Sequence, residues 1–125
     1  MDIIYGSVTR NRDLVYQASK KIGFLSGEES KEMVNAHVDA TLIVGEPFAQ
    51  KDPFDFGNQD ITTRIYKTMP IMLKSRLKPP PPEIYSLHRM LSGAYLMAMR
   101  MKATVPASKI FKDLYDKTIH DLESL

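Results

Sequence analysis

The sequence predicts an all-α fold, a helical cluster built as one unit. Three observations carry this. Apolar residues recur at three- and four-residue spacing through most of the chain, the period of a helix with one buried face. No segment alternates apolar and polar residues well enough to read as a strand, and no internal repeat is present. Proline and glycine break the periodic stretches at intervals that suit helix–helix connections.

Taken in order, Asp2 to Val8 reads as the last turns of a helix, loosened at Gly6. Asp2-Ile3-Ile4-Tyr5 resembles the middle of an amphipathic helix, so the chain is expected to begin inside an element of something longer. Asn11 or Asp13 can cap the next helix, because a short polar side chain accepts an otherwise orphan N–H there. Leu14, Val15, Ala18 and Ile22 form its stripe and Gly23 its stop. Ser26-Gly27-Glu28-Glu29 matches a capping box and predicts a helix start. Met33, Val34, His37, Ala40, Thr41 and Val44 then share a face, and the helix ends near Gly45-Glu46-Pro47. Residues 47–60, rich in Pro, Asp and Gly, read as a loop. Asp60 is a candidate cap for a helix through Ile61, Ile65, Met69, Met72 and Leu73, which Pro70 should kink or split.

Four prolines, Pro79 to Pro82, favour extended backbone and stop what precedes them. Glu83 opens a segment running to Ala103, its carboxylate suited to the positive end of a helix. Ile84, Leu87, Leu91, Ala94, Ala98 and Met101 lie on one face, and Met90, Tyr95 and Met97 fill much of the rest. A helix apolar nearly all round is expected to be buried on most sides, so this one is assigned as the core. Ser92-Gly93-Ala94 would let another backbone approach, and Gly93→Leu is expected to overpack that site by about 1–3 kcal/mol. Pro106-Ala107 starts a last helix whose apolar face is Ile110, Phe111, Leu114, Tyr115 and Ile119. The expected architecture is a cluster of about five to seven helices.

The 125 residues suit one domain, and 43% hydrophobic with 26% charged residues reads as globular. A net charge of +2, with no basic cluster interleaved with aromatics, gives no case for nucleic acid as a partner. Lys67, Lys74, Arg76 and Lys78 form the best basic group, read as a solvated helix face, with an anionic membrane surface as the alternative. With no cysteine, disulfides and thiolate chemistry are excluded. No segment is long and apolar enough to span a bilayer, and no targeting signal is visible.

One pattern raises catalysis directly. His37-Val38-Asp39 followed by Asp55-Phe56-Gly57 is similar to the catalytic-loop and metal-holding motifs of a protein kinase. Its surroundings argue otherwise. The catalytic loop needs an Asn where Val44 stands, the residues around His37 have helical period, and no Lys-bearing lobe precedes them. The favoured reading is a turn at Gly57 with Phe54 and Phe56 packed inward. His37, His88 and His120 stand at no metal-ligand spacing, and His88, near Glu83, Tyr85 and Arg89, reads as a hydrogen-bonded structural histidine. Ser26, Ser86, Ser92 and Ser108 sit in no nucleophile motif, Glu28, Glu29 and Glu32 read as a solvated first turn, and the methionines read as packing. No catalytic, cofactor-binding or metal residue is assigned.

Several segments together carry a family resemblance. They are Phe24-Leu25-Ser26-Gly27-Glu28, Ala36-His37-Val38-Asp39-Ala40, Gly45-Glu46-Pro47-Phe48, Pro53-Phe54-Asp55-Phe56-Gly57, Pro80-Pro81-Pro82-Glu83, Tyr85-Ser86-Leu87-His88-Arg89 and Gly93. From about Ile3 to Tyr115 the chain resembles the C-terminal portion of the UbiB/ADCK, or aarF-domain-containing, atypical kinases, and most closely their mitochondrial coenzyme Q branch. The resemblance implies that residues 1–125 are a partial C-lobe helical subdomain of a larger kinase-like domain. It implies a role in ubiquinone biosynthesis at the matrix face of the inner mitochondrial membrane. ATP and magnesium would be cofactors of the complete protein, with none held by this chain. The implied partners are the missing N-terminal lobe, the coenzyme Q biosynthetic assembly and inner-membrane lipids. The family's nucleotide loop, ATP-anchoring Lys and Glu, catalytic-loop Asp and Asn, and metal-binding Asp-Phe-Gly are expected upstream of this segment; Asp55-Phe56-Gly57 corresponds to a later loop. Either the chain is a fragment, or the upstream lobe was lost and the remainder serves another purpose. The chain alone is therefore expected to be inactive and to expose apolar surface, Met1 to Tyr5 included, where the missing part belongs. The alternative is a stand-alone helical interaction or membrane-surface module.

Overall fold

The computed structural model describes residues 1–77 and 79–125; Lys78, at the head of the proline run and part of the basic group, lies outside them. The described residues form seven helices and two very short strands. In chain order they are α1 (Asp2–Val8), α2 (Arg12–Lys21), α3 (Lys31–Val44), α4 (Glu46–Ala49), β1 (Phe54–Asp55), α5 (Ile61–Ser75), α6 (Pro82–Arg100), β2 (Thr104–Val105) and α7 (Ala107–Glu123). The all-α expectation holds.

The main core is made by the first half of the chain. Val15 and Ala18 of α2, Met33, Ala36, Val38 and Ala40 of α3, and Phe24 and Leu25 of the intervening loop are all buried. Full burial of a side chain such as Leu25 or Val15 contributes about 1.5–3 kcal/mol. A second cluster joins Phe54, Phe56 and Ile61, flanked by Ile43, Ile65, Tyr95, Ala98, Met99 and Val105. Phe54 and Phe56 thus pack inward as expected, and Asp55 accepts the Gly57 N–H at 2.9 Å to make the turn.

Asn11 caps α2, its side chain accepting the Leu14 N–H, and Gly23 ends the helix at φ +80°, a conformation open to glycine at little cost. The capping box is a correction. Glu29 does accept from the Ser26 N–H and hydroxyl and the Gly27 N–H, but this staples a loop. Helix α3 begins later, with Ser30 as the cap accepting from Met33 N–H. Asp60 occupies the cap position of α5 without capping; Gln59 accepts the Ile61 N–H, and Asp60 turns to Arg64. Pro70 does not split α5, which is continuous from Ile61 to Ser75. Residues 47–60 contain a helical turn, and Phe54–Asp55 pair antiparallel with Thr104–Val105, a ladder too short to have a sequence signature.

The largest correction concerns α6. It has no buried residue. Ile84, Leu91, Tyr95 and Ala98 are half-buried along one side, while Tyr85, Leu87, Met90, Leu96 and Met97 are exposed. A Cβ on Gly93 would meet nothing within 4 Å, so the overpacking expected of Gly93→Leu has no neighbour to act on. Periodicity reported an apolar helix correctly; it could not report that, among the described residues, the outer side is left uncovered. Exposed apolar surface was expected and is present there, on α5 (Tyr66, Leu73) and at Met1 and Tyr5, while Ile3 and Ile4 are half-buried.

The close approach in the fold is at Gly45. A Cβ there would overlap the Ser7 hydroxyl outright and stand 2.5 Å from Ser7 Cβ. Ser7 is fully buried and donates to the Thr41 carbonyl at 2.9 Å, so α1 rests directly on the α3–α4 junction.

Candidate functional site

Two polar groupings stand out. The first surrounds Phe24. Its ring lies 4.7 Å from the His37 ring and 5.1 Å from the His88 ring, with the Arg76 guanidinium 5.1 Å above it. Arg76 also donates to the Phe24 carbonyl at 3.4 Å. Residues from the α2–α3 loop, α3, the end of α5 and the start of α6 thus meet at one aromatic ring.

His37 is buried on α3, with Nε2 3.0 Å from the Ser19 hydroxyl. Its Nδ1 has no hydrogen-bond partner among the described residues. Burial, reinforced by the charges of Arg76 and His88, holds its pKa down to about 4, so the ring is neutral near pH 7. A neutral imidazole bonded to a buried serine suits packing, and among the described residues no carboxylate hydrogen-bonds to it. His88 is exposed and leans on Phe24, with no hydrogen bond among the described residues; the expected hydrogen-bonded histidine is His37 instead.

The second grouping is a shallow cleft of about 250 Å³ lined by Glu46, Gln50, Phe54, Asp55, Asp60 and Arg64, among others. Arg64 donates to both carboxylate oxygens of Glu46 and, through Nε, to Asp60 at 2.8 Å. The paired fork ties α4 to the first turn of α5, and these hydrogen bonds raise the guanidinium's pKa further. Tyr95 of α6 donates to the Val44 carbonyl beside it, and burial pushes its phenol upward. Sequence reasoning did not single out Glu46, Arg64 or Tyr95 as a group; α4 is a four-residue helix inside what read as loop.

The kinase-like pair takes structural roles. Asp39 lies on α3, half exposed, and accepts from Arg12 at 2.6 Å. Asp55 lies in β1 and serves the Gly57 turn. Among the described residues no three His, Asp or Glu side chains gather as a metal site. Each carboxylate of the pair thus has a partner in the fold, Arg12 for Asp39 and the Gly57 N–H for Asp55.

The chain is similar to known proteins over most of its length. It is 44% identical over 119 residues to the mitochondrial atypical kinase coq-8 of Caenorhabditis elegans, covering 95% of this chain and 16% of that protein. It is 40% identical over 116 residues to the mitochondrial atypical kinase COQ8B of Danio rerio, covering 93% of this chain and 19% of that one. With the mitochondrial atypical kinase COQ8 of Saccharomyces cerevisiae it shares 44% over 108 residues, 85% of this chain and 22% of the other. The chain thus spans about a fifth of the length of the curated relatives it matches. No family model matches it.

Proposed function

Because the chain is a segment of the COQ8/ADCK atypical kinases, within the UbiB group and matched in their C-terminal portion, we propose that it serves as the C-terminal helical part of a mitochondrial protein that supports coenzyme Q biosynthesis. The observation that carries this reading is 39–44% identity sustained over about nine tenths of the chain. Its contribution is mechanical. It supplies a packed base of helices for a kinase-like domain, and ATP and magnesium binding belong to the remainder of such a protein.

The disposition of its chemistry-bearing side chains supports that division. His37 is locked under Phe24, Asp39 is engaged by Arg12, Asp55 holds a turn, and Glu46 is held in the Arg64 fork. Side chains spent on such contacts position helices and leave little free for transfer chemistry. The exposed apolar side chains of α5 and α6 suit a segment that works against further polypeptide. By the family reading, that protein works at the matrix face of the inner membrane, beside the assembly that makes coenzyme Q.

A chimera tests this. Replacing the corresponding segment of a COQ8-type relative with these 125 residues is expected to preserve coenzyme Q content and respiratory growth in cells lacking the relative. A chimera that accumulates normally yet makes no coenzyme Q would overturn the reading. The purified chain is expected to hydrolyse no ATP with magnesium; hydrolysis lost in Asp55→Asn would return catalysis to this segment.

A further inference from the structure

A thioether sulfur is a weak hydrogen-bond acceptor. Two side-chain donors nevertheless converge on one such sulfur, that of Met99 near the end of α6. The Gln59 amide donates to it from the loop before α5, and the Thr62 hydroxyl stands 3.6 Å from it in the first turn of α5. The other end of the Gln59 carboxamide accepts the Ile61 N–H at 2.6 Å, which fixes the amide N–H group toward α6. Met99 is half-buried at the edge of the Phe54, Phe56 and Ile61 cluster, and Thr62 beside it is exposed, so solvent approaches the sulfur on that side.

Other methionines are placed differently. Met33 is fully buried, and Met72 receives only Thr68 of its own helix. Met90, Met97 and Met101 are exposed, and among the described residues no donor reaches their sulfurs. Oxidation turns a thioether into a polar, chiral sulfoxide, which disrupts an apolar contact. At Met99 the new oxygen would meet two donors already aimed at its position, each matched to a weaker acceptor than it can serve.

We propose that Met99 is an oxidative modification site, whose sulfoxide is held by Gln59 and Thr62 and tightens the joint between α5 and α6. The oxidant is a peroxide. The sulfur lone pair attacks one peroxide oxygen, the O–O bond breaks and an S–O bond forms. Sulfur loses two electrons, and the proton of the transferred hydroxyl passes to the departing oxygen, which leaves as water or an alcohol. Attack from the Thr62 side forms one sulfoxide epimer in excess.

The test uses the 125-residue chain with Met90→Leu, Met97→Leu and Met101→Leu, so that peroxide meets few other exposed sulfurs. Brief treatment of the folded protein with hydrogen peroxide, followed by mass spectrometry of its peptides, is expected to show one added oxygen at Met99. The melting midpoint should rise by roughly 3–5 °C on oxidation. With Gln59→Leu and Thr62→Val added, Met99 should still oxidise, and the midpoint should fall instead. Met99→Leu should show no peroxide-dependent shift. After proteolysis, one of the two epimer-specific methionine sulfoxide reductases should reduce the Met99 peptide far more completely than the other. Three results overturn the proposal: Met99 oxidised only once the chain is unfolded in urea, a midpoint that falls equally with and without Gln59 and Thr62, or equal amounts of the two epimers.

Discussion

Replacing Gly45 with alanine tests the glycine position at which an added Cβ has least room. The backbone there, φ −80° and ψ −7°, suits alanine, so any penalty is steric. The new methyl would stand 2.5 Å from Ser7 Cβ, where ordinary contact begins at 3.4 Å. The difference, 3.4 − 2.5 = 0.9 Å, is the least by which α1 must retreat, and the Ser7 hydroxyl, in outright overlap, demands more. Retreat breaks the Ser7–Thr41 hydrogen bond and loosens the buried end of α1. Overpacking of this kind costs about 3 kcal/mol, a large share of a small domain's stability. Ser7→Gly removes both obstructing atoms; alone it costs about 2 kcal/mol, one for the hydrogen bond and one for glycine within a helix. The double variant should lose only about 2–3 kcal/mol, well short of the roughly 5 kcal/mol that independent effects would sum to. Urea unfolding of the four proteins measures this directly. A Gly45→Ala variant as stable as the parent, or strict additivity with Ser7→Gly, would refute the contact.

Other outcomes follow from the same geometry. His37 has its pKa lowered to about 4 from an ordinary 6.5, so the unfolded chain binds more protons between those values; stability is complete above about 6.5 and is lost as pH falls toward 4, by on the order of 3 kcal/mol. Melting against pH in the parent and in His37→Leu checks it, and an imidazole of His37 that titrates near 6.5 by NMR would contradict it. Gly93→Leu should raise the melting midpoint of the dilute chain, by about 0.5–1 kcal/mol of helix propensity, since the side chain enters open space. Arg64→Ala leaves Glu46 without its paired donor and should cost about 1 kcal/mol; Arg64→Lys should recover less than half of that, because an ammonium cannot reproduce the fork. Thermal denaturation of both variants reads the difference.

What the sequence disclosed depends on how far apart the interacting residues lie. Asn11 and Gly23 were legible because a cap or a stop is decided within three or four residues. Phe54 and Phe56 were legible because an aromatic pair in a polar loop has little to do except pack. The Ser26–Glu29 pattern misled because the same reciprocal hydrogen bonds close a loop as readily as they open a helix. Asp60 misled because Arg64 competes for its carboxylate one turn later. The Ser7–Gly45 contact and the Arg64–Glu46 fork left no local trace at all. The burial of α6 was misjudged for a related reason. Spacing reveals that a face wants a partner, and says nothing of whether this chain supplies one.

The two-residue ladder between Phe54–Asp55 and Thr104–Val105 has a kinetic consequence. It joins segments about 50 residues apart, and closing a loop of that length costs roughly 3 kcal/mol of chain entropy beyond the constant term. Two paired residues cannot repay that by themselves. The ladder must close late, after α5 has packed on α3 and Tyr95 has reached Val44. It should also be the first joint to open. Tyr95 on Val44 and the packing of Phe111 on Phe48 still hold α6 and α7 when it opens, so the ladder amides should exchange with solvent before those of the helices on either side of it.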